Sequence, residues 1–238
     1  MDDLERLPGG PVVAGSVADH GKLGVRVGTL DLVRRLAVYL DLLDWRRTVA
    51  QLYADVRANP SPEVGHELWR TGRDDLFRNH PQSPLEDGDP LRDSGLPYWP
   101  YDPALRFTSA LTPAEAPASM IVPSGDGNIR MVLIGHVHLP GDIDADVDVW
   151  WLDQYAGGLF LPLRDGTAGK GSYGGGRYLL DSAKSAELGV QDGELLLDLN
   201  FLYNPSCRYS SEWSCPLAPA GNLVAAEIRA GESMMPIG

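Results

Sequence analysis

The chain has 238 residues, of which 43% are hydrophobic and 22% charged, and its formal net charge at pH 7 is −13. This length is enough for one substantial globular domain with a buried core. A surface this acidic repels phosphate backbones, which argues against a nucleic-acid partner. No apolar run approaches the roughly 18 residues that a membrane span requires. The acidic start, Met1–Arg6, lacks the basic region and apolar core of a secretory signal, so we expect a cytoplasmic protein with no membrane partner.

Helical periodicity begins after a stretch that has none. Residues 1–28 are rich in glycine and valine, and we expect them to form a loose arm. From about Leu30 to Asn59 apolar residues recur at helical spacing, which predicts one long amphipathic helix or two joined ones. Ser61–Glu63 combines a capping hydroxyl, a proline and an early acid, and so predicts the start of another helix that stops before His80. Residues 29–80 are therefore predicted to be a helical segment.

Proline and turn residues dominate positions 81–128, where aromatic residues are interleaved at Tyr98–Tyr101. This composition predicts an extended, packed connection with one short strand at Leu105–Leu111. After Gly127 the hydrophobic period becomes two. The predicted strands are Arg130–Leu139, Val147–Leu152, Gly158–Leu163, Arg177–Leu180, Glu194–Tyr203 and Leu223–Ile228.

Helices that come first and strands that follow predict an α+β fold. We expect the helices to pack on a predominantly antiparallel β-sandwich or small β-barrel spanning residues 81–238, and both parts to form one globular unit. Strands and helices do not alternate, which disfavours a doubly wound nucleotide-binding fold.

Polar residues in this β-rich part form the candidate site. The three glycines before Arg177 would let backbone N–H groups approach a ligand, and the guanidinium could hold a carboxylate or phosphate. A hairpin turn with Arg177 in a structural ion pair is the alternative. Arg164 and Asp165 either line a pocket rim or end a strand in an Asp-Gly turn. Alternation places Asp198, Asn200 and Asn204 on one face, which is either solvent-exposed or a pocket lining.

The first hypothesis is a small-molecule hydrolase, lyase or isomerase with an anionic or polar substrate in a pocket of the β-rich part. The catalytic candidates are Asp198, Asp165, Tyr173 and Tyr203, and the substrate-binding candidates are Arg177, Arg164, Gly174, Gly175, Gly176, Asn200 and Asn204. On this hypothesis Arg177→Ala abolishes ligand binding without unfolding the protein. A non-catalytic small-molecule binding module, using the same pocket or the Tyr98–Tyr101 segment, is the alternative. The sequence predicts no cofactor.

Two further pairs of residues could carry chemistry. Cys207 and Cys215 are either buried structural thiols, a loop-closing disulfide, or a pair that contains a thiol nucleophile activated by Arg208. His136 and His138 project from the same face of a strand, as in a strand-borne metal pair, and Asp142 or Asp144 could add a third ligand. A metal-dependent enzyme is therefore a second alternative, although the two histidines could also simply end an exposed strand.

Several motifs together resemble a bacterial family catalogued as a domain of unknown function, number 1684. They are Leu42–Arg47 (LLDWRR), Arg73–Leu85 with its HPQSPL end, Gly157–Asp165 (GGLFLPLRD), Tyr173–Tyr178 (YGGGRY), Asn204–Cys207 (NPSC) and Cys215–Pro219 (CPLAP). The resemblance runs from about residue 40 to the end of the chain. It implies that these polar motifs are family features, and it implies no activity. His136, His138 and residues 1–28 lie outside its pattern.

Overall fold

A computed structural model describes residues 29–124 and 127–234; the predicted arm at 1–28 lies outside the described residues. Three helices are formed in these ranges: α1 (Thr29–Ala58), α2 (Pro62–Asn79) and the short α3 (Leu91–Ser94). The strands are β1 (Arg106–Ser109), β2 (Thr112–Ser124), β3 (Gly127–Leu139), β4 (Ala145–Asp153), β5 (Leu159–Leu163), β6 (Arg177–Asp181), β7 (Val190–Gln191) and β8 (Glu194–Asp198).

The strands form two antiparallel sheets. One is a meander in the order β2-β3-β4-β5-β6, and the other has the order β1-β8-β7. Their shared core includes Val147 and Val149 of β4, Leu161 of β5 and Leu197 of β8, each at most 2% exposed. The sheets are sandwich-like and are not closed into a barrel, so the predicted α+β sandwich is confirmed and the barrel is not formed.

Helix α2 begins where the sequence predicts. The Ser61 hydroxyl accepts a hydrogen bond from the N–H of Val64 at 3.4 Å, and Pro62 occupies the first turn. The buried face of α2 carries Trp69, which is fully buried and donates its indole N–H to the Tyr53 hydroxyl of α1 at 3.1 Å. Both helices pack against Phe201, which follows β8. This contact attaches the helices to the smaller sheet.

The second half of the single long helix α1 packs in this way. Trp45, Val49 and Leu52 contact the α2 cluster, whereas Tyr39 and Leu40 are about two-thirds exposed. No helix in residues 29–124 or 127–234 is both long and apolar enough to cross a membrane.

The structure differs from the strand prediction at three places. The stretch assigned to an extended connection contains β2, an edge strand whose register shifts between Pro113 and Ala118. An edge position tolerates proline because one side of the strand needs no ladder donors. The predicted strand Glu194–Tyr203 ends at Asp198, whose side chain accepts the Asn200 N–H and starts a 3₁₀ turn. Leu223–Ile228 is not a strand; it forms one bridge, between Leu223 and Arg164.

Candidate functional site

The loop that follows β5 is built on Asp165. One oxygen of this carboxylate, Oδ1, accepts the backbone N–H of Thr167 at 2.8 Å, the Thr167 hydroxyl at 2.6 Å and the N–H of Ile228 at 3.1 Å. Gly166 donates its N–H to the carbonyl of Ala226 at 2.8 Å. Asp165 therefore fixes the loop and ties it to the segment 226–232, far away in sequence.

The second Asp165 oxygen, Oδ2, is bound by Arg177 at 2.7 Å, and both side chains are buried. The remaining donors of the guanidinium terminus go to the carbonyls of Ile228 (2.9 Å), Ala230 and Glu232 (3.0 Å). Burial alone would raise the pKa of Asp165, but Arg177 and the Thr167 hydrogen bonds hold it below its ordinary value. Arg177 thus forms a structural ion pair, the alternative that its sequence context left open, and both of its terminal nitrogens are bonded to acceptors of the protein itself.

A shallow cleft lies beside this ion pair. Its volume is about 290 Å³, and we call it the basic cleft; it is lined by Trp99, Thr167, Lys170, Gly171, Glu227 and Arg229. The Arg177 guanidinium carbon lies 5.0 Å from the centre of the Trp99 ring. The N–H of Trp99 donates to the Gly231 carbonyl at 3.0 Å, so this wall is also attached to the segment that Arg177 holds.

The charges of the basic cleft are unusual for so acidic a chain. Two of its lining residues are cationic and one is anionic. Arg229 uses Nε (3.2 Å) and Nη2 (2.8 Å) on a single Glu227 oxygen. Among the residues that the structure describes, Lys170 has no ion-pair partner, whereas Lys184 is paired with Asp181 at 3.0 Å. Lys170 lies on the loop that Asp165 fixes, so its backbone is held while its ammonium is available.

The glycine-rich turn meets the two cysteines at a separate place. Arg164 is exposed and donates Nε–H to the Gly174 carbonyl at 2.8 Å, and Gly176 adopts a φ of 92°, which favours glycine. A side chain at Gly175 would collide with the Tyr173 ring at 2.6 Å. The Tyr173 hydroxyl lies 3.7 Å from the Cys207 sulfur. The structure therefore brings Arg164, the glycines, Tyr173 and Cys207 together, without Arg177.

The predicted polar face after β8 is buried and divided between two networks. Asp198 is bound by Arg106 at 3.3 Å and by the Asn200 amide at 2.8 Å. The Asn204 N–H instead bonds the carboxylate of Glu232, which is fully buried and also receives the Tyr209 hydroxyl at 2.6 Å. Neither of the two clefts described in this section is lined by these residues or by Arg177, whose side chains bond to protein groups instead. Their predicted catalytic and binding roles stay predictions.

Tyr203 lies in a third network with Asp181. Its hydroxyl is 3.4 Å from that carboxylate, and burial raises the pKa of Tyr203 well above its ordinary value. Asp181 Oδ1 is buried and has no hydrogen-bond partner among the residues that the structure describes. Neither residue lines the basic cleft, so this pair is separate from it.

The two predicted metal-binding histidines lie on β3 opposite carboxylates of β4. His136 Nδ1 is 2.9 Å from Asp148, and His138 Nδ1 is 3.0 Å from Asp146 and its Nε2 3.8 Å from Asp144. No group of three or more His, Cys, Asp or Glu residues placed to hold a metal ion is found within the described ranges. The metal hypothesis stays a prediction.

His66 shows how tightly the Asp198 network packs against α2. Its Nε2–H donates to the Asn200 carbonyl at 2.9 Å, and burial lowers the pKa of His66 to about 4 from an ordinary 6.5. In the unfolded chain His66 is protonated below about pH 6.5, whereas in the folded protein it is protonated only below about pH 4. We expect this group to remove about 2 kcal/mol of the unfolding free energy between pH 7 and pH 5.

Urea denaturation of the native chain and of His66→Gln at both pH values measures this contribution. The variant keeps an amide donor but cannot titrate. Between pH 7 and pH 5 its unfolding free energy should therefore fall by about 2 kcal/mol less than that of the native chain. Equal pH slopes for the two proteins would show that His66 titrates alike in the folded and unfolded states.

A second cleft of about 330 Å³ lies between α1 and the edges of both sheets. Arg57 and Glu187 line it and neutralise each other in an ion pair of 2.7 Å, and much of the remaining lining is aliphatic. This cleft contains no free charge of the kind that Lys170 supplies.

The sequence analysis missed the residues that make the basic cleft. Trp99 lies in the aromatic segment that the binding hypothesis used, but Lys170, Glu227 and Arg229 were not among the candidates. Lys170 is flanked by Gly169 and Gly171, an exposed cation in a glycine-rich loop, which is the one local pattern that could have identified it.

These features define an α+β protein with two sandwich-like sheets, and comparison with known proteins gives its family. Residues 94–233 match the family described as Protein of unknown function (DUF1684), and the chain belongs to this family. The match begins after the Leu42–Arg47 and Arg73–Leu85 motifs. The chain is also similar to an uncharacterized protein of Haloarcula marismortui known from a solution NMR structure, with 31% identity and a TM-score of 0.52 over 72% of this chain and 94% of that one. No curated protein matches the chain significantly.

Proposed function

We propose that the chain binds a small organic anion in the basic cleft. The observation that carries this proposal is the position of Lys170, a cation with no ionic partner among the described residues, beside the indole of Trp99 in a chain of net charge −13. Elsewhere such a surface repels anions, so a local basic site gives selectivity as well as affinity. A carboxylate or phosphate is the natural partner of an ammonium group.

The dimensions of the cleft limit the ligand. Its volume of about 290 Å³ is at the lower end of the range of about 300–1,000 Å³ that is usual for small-molecule sites. The Trp99 ring supplies a flat apolar wall. Arg229 uses Nε and Nη2 on Glu227, which leaves Nη1 for a ligand. A small planar acid would place its ring along the indole and its charge between Lys170 and Arg229.

Binding fits this geometry better than catalysis. The predicted acid–base groups Asp165 and Asp198 are fully engaged in buried ion pairs, so neither is free to exchange a proton with a ligand in the cleft. Asp165 and Arg177 act here as positioning residues, because they hold the Lys170 loop and the Arg229 segment against each other. A cytoplasmic location is part of the proposal, and the free thiols of Cys207 and Cys215 support it.

Titration calorimetry with a panel of small aromatic and aliphatic carboxylates and phosphates tests the proposal. We expect saturable binding of at least one planar anion, about tenfold or more weaker in Lys170→Met because a charge-assisted hydrogen bond is lost. Raising the ionic strength should weaken binding to the native chain more than to the variant. The recovered ligand should be chemically unchanged.

Arg130→Met provides a matched control, since Arg130 is an exposed cation on β3, outside the cleft, paired with Asp153 at 3.3 Å. It should bind the same anion as the native chain does. If no member of the panel binds, or if both variants weaken binding equally, the basic cleft is not the binding site.

A further inference from the structure

Cys207 and Cys215 lie next to each other at the two ends of a surface loop, residues 208–214, and we call this place the neck of the loop. Cys207 lies in the 3₁₀ turn Ser206–Arg208, and its backbone N–H donates to the Cys215 sulfur at 3.4 Å. The two thiols also interact directly, and both side chains are half-buried and unbonded. The Cys215 sulfur therefore lies against the backbone of Cys207, and a disulfide between the two requires their Cα atoms to lie within about 7 Å of each other.

Both sides of the neck are anchored to the rest of the protein. On one side, the backbone N–H of Asn204, three residues before Cys207, donates to the buried carboxylate of Glu232. On the other side, the Pro216 carbonyl accepts the Tyr178 hydroxyl at 2.6 Å, and Cys215 packs on the cluster that contains Tyr178. Between them, residues 211–214, which include Trp213, are exposed. The fold therefore holds the thiols together, while solvent reaches the loop that they close.

We propose that Cys207 and Cys215 are a redox modification site, converted by hydrogen peroxide into an intramolecular disulfide. The Cys207 thiolate attacks one peroxide oxygen, which breaks the O–O bond, gives a sulfenic acid and releases hydroxide that leaves as water. The Cys215 sulfur then attacks the sulfenic sulfur, the S–S bond forms, and the hydroxide takes the Cys215 proton and leaves as a second water. Two thiols lose two electrons, and one peroxide molecule gains them.

The surroundings of the two thiols assign this order. Burial raises the pKa of Cys215 to about 11, so that it is protonated at neutral pH and serves as the second thiol. The Tyr173 hydroxyl, 3.7 Å from the Cys207 sulfur, can donate a hydrogen bond to the thiolate of Cys207. The site is separate from the basic cleft, so it does not depend on the proposed ligand.

Mass spectrometry of the reduced full-length chain treated with peroxide tests the proposal. We expect a loss of about two mass units, reversed by dithiothreitol, with one cross-linked peptide that contains both cysteines. Cys215→Ser should instead accumulate a sulfenic acid on Cys207 that dimedone traps. Oxidation should raise the melting temperature of the native chain by up to about 5 °C.

A comparison of folded and unfolded chains shows whether the fold places the thiols. The equilibrium constant for disulfide formation with glutathione disulfide should be about tenfold or more larger in buffer than in denaturing urea, because folding brings the sulfurs together. Equal constants, thiols that remain alkylatable after peroxide, or disulfide-linked dimers in place of the closed loop would each overturn the proposal.

Discussion

Arg177→Met is expected to lower the free energy of unfolding by about 3–5 kcal/mol, since removing one partner of a buried ion pair leaves the other uncompensated. The variant leaves the Asp165 carboxylate without its cation and deprives the carbonyls of Ile228, Ala230 and Glu232 of their donor. Urea denaturation measures the loss. This differs from the sequence-based expectation, in which an Arg177 variant loses a ligand and keeps its stability.

Three further variants make the result interpretable. Arg130→Met removes an exposed pair of similar chemistry and should cost less than about 1 kcal/mol. Asp165→Asn combined with Arg177→Met should cost less than the sum of the single changes, because neither charge is then left alone. If Arg177→Met does not fold, Asp165→Asn can be measured in its place. It keeps the Oδ1 acceptor, so its loss of unfolding free energy should be smaller. A stability equal to that of the native chain in both single variants would contradict the structural role of the pair.

The second large effect is expected at Glu232, which joins α2 to the segment after Ile228. Its carboxylate is fully buried and is bound by Arg73 at 3.1 Å and by Tyr209 at 2.6 Å. The Arg73 guanidinium is 4.8 Å from the centre of the Phe77 ring and 5.0 Å from that of Tyr203. Burial alone would lower the pKa of Arg73, but Glu232 raises it above its ordinary value. The carboxylate of Glu232 therefore compensates the cost of burying this cation.

Glu232→Ala should lower the free energy of unfolding by about 3–5 kcal/mol, because it leaves a buried guanidinium among aromatic rings without an anion. Glu232→Gln keeps the shape and some hydrogen bonds and should cost less, about 1–3 kcal/mol. Glu67→Gln is the matched control: its ion pair with Arg70 at 3.3 Å is exposed, and we expect a change below about 0.5 kcal/mol. Equal losses in Glu232→Gln and Glu67→Gln, by urea denaturation, would contradict the importance of the buried pair.

Structural elements that are determined by residues adjacent in the sequence were predicted correctly, whereas elements that depend on distant parts of the chain were not. Helix α2 is encoded by adjacent residues, the Ser61 cap and Pro62, and was predicted correctly. The edge strand β2 was missed because Pro113 and its neighbouring prolines resemble a loop until the strand is known to lie at the edge of a sheet. The strand predicted up to Tyr203 was too long, because hydrophobic alternation continues after Asp198 has already turned the chain.

The candidate site depended on contacts that no local pattern contains. Arg177 and Asp165 were selected as binding and catalytic candidates, but their burial follows from docking of the segment around Ile228, which was itself predicted to be a strand. Its carbonyls bond a guanidinium instead of a neighbouring strand. Lys170 and Arg229 become neighbours only through this docking. Tertiary structure thus decides which charges are sequestered and which can meet a ligand.

The order in which the ribosome makes these parts has a consequence for biogenesis. Asp165 and Arg177 are synthesised long before residues 228–232, whose carbonyls complete the shell around the guanidinium. Until those residues leave the exit tunnel, the Arg177 guanidinium lacks these three acceptors, so closing the two sheets over it would bury a charge at high cost. Translation stalled before residue 228 should therefore leave a protease-sensitive intermediate.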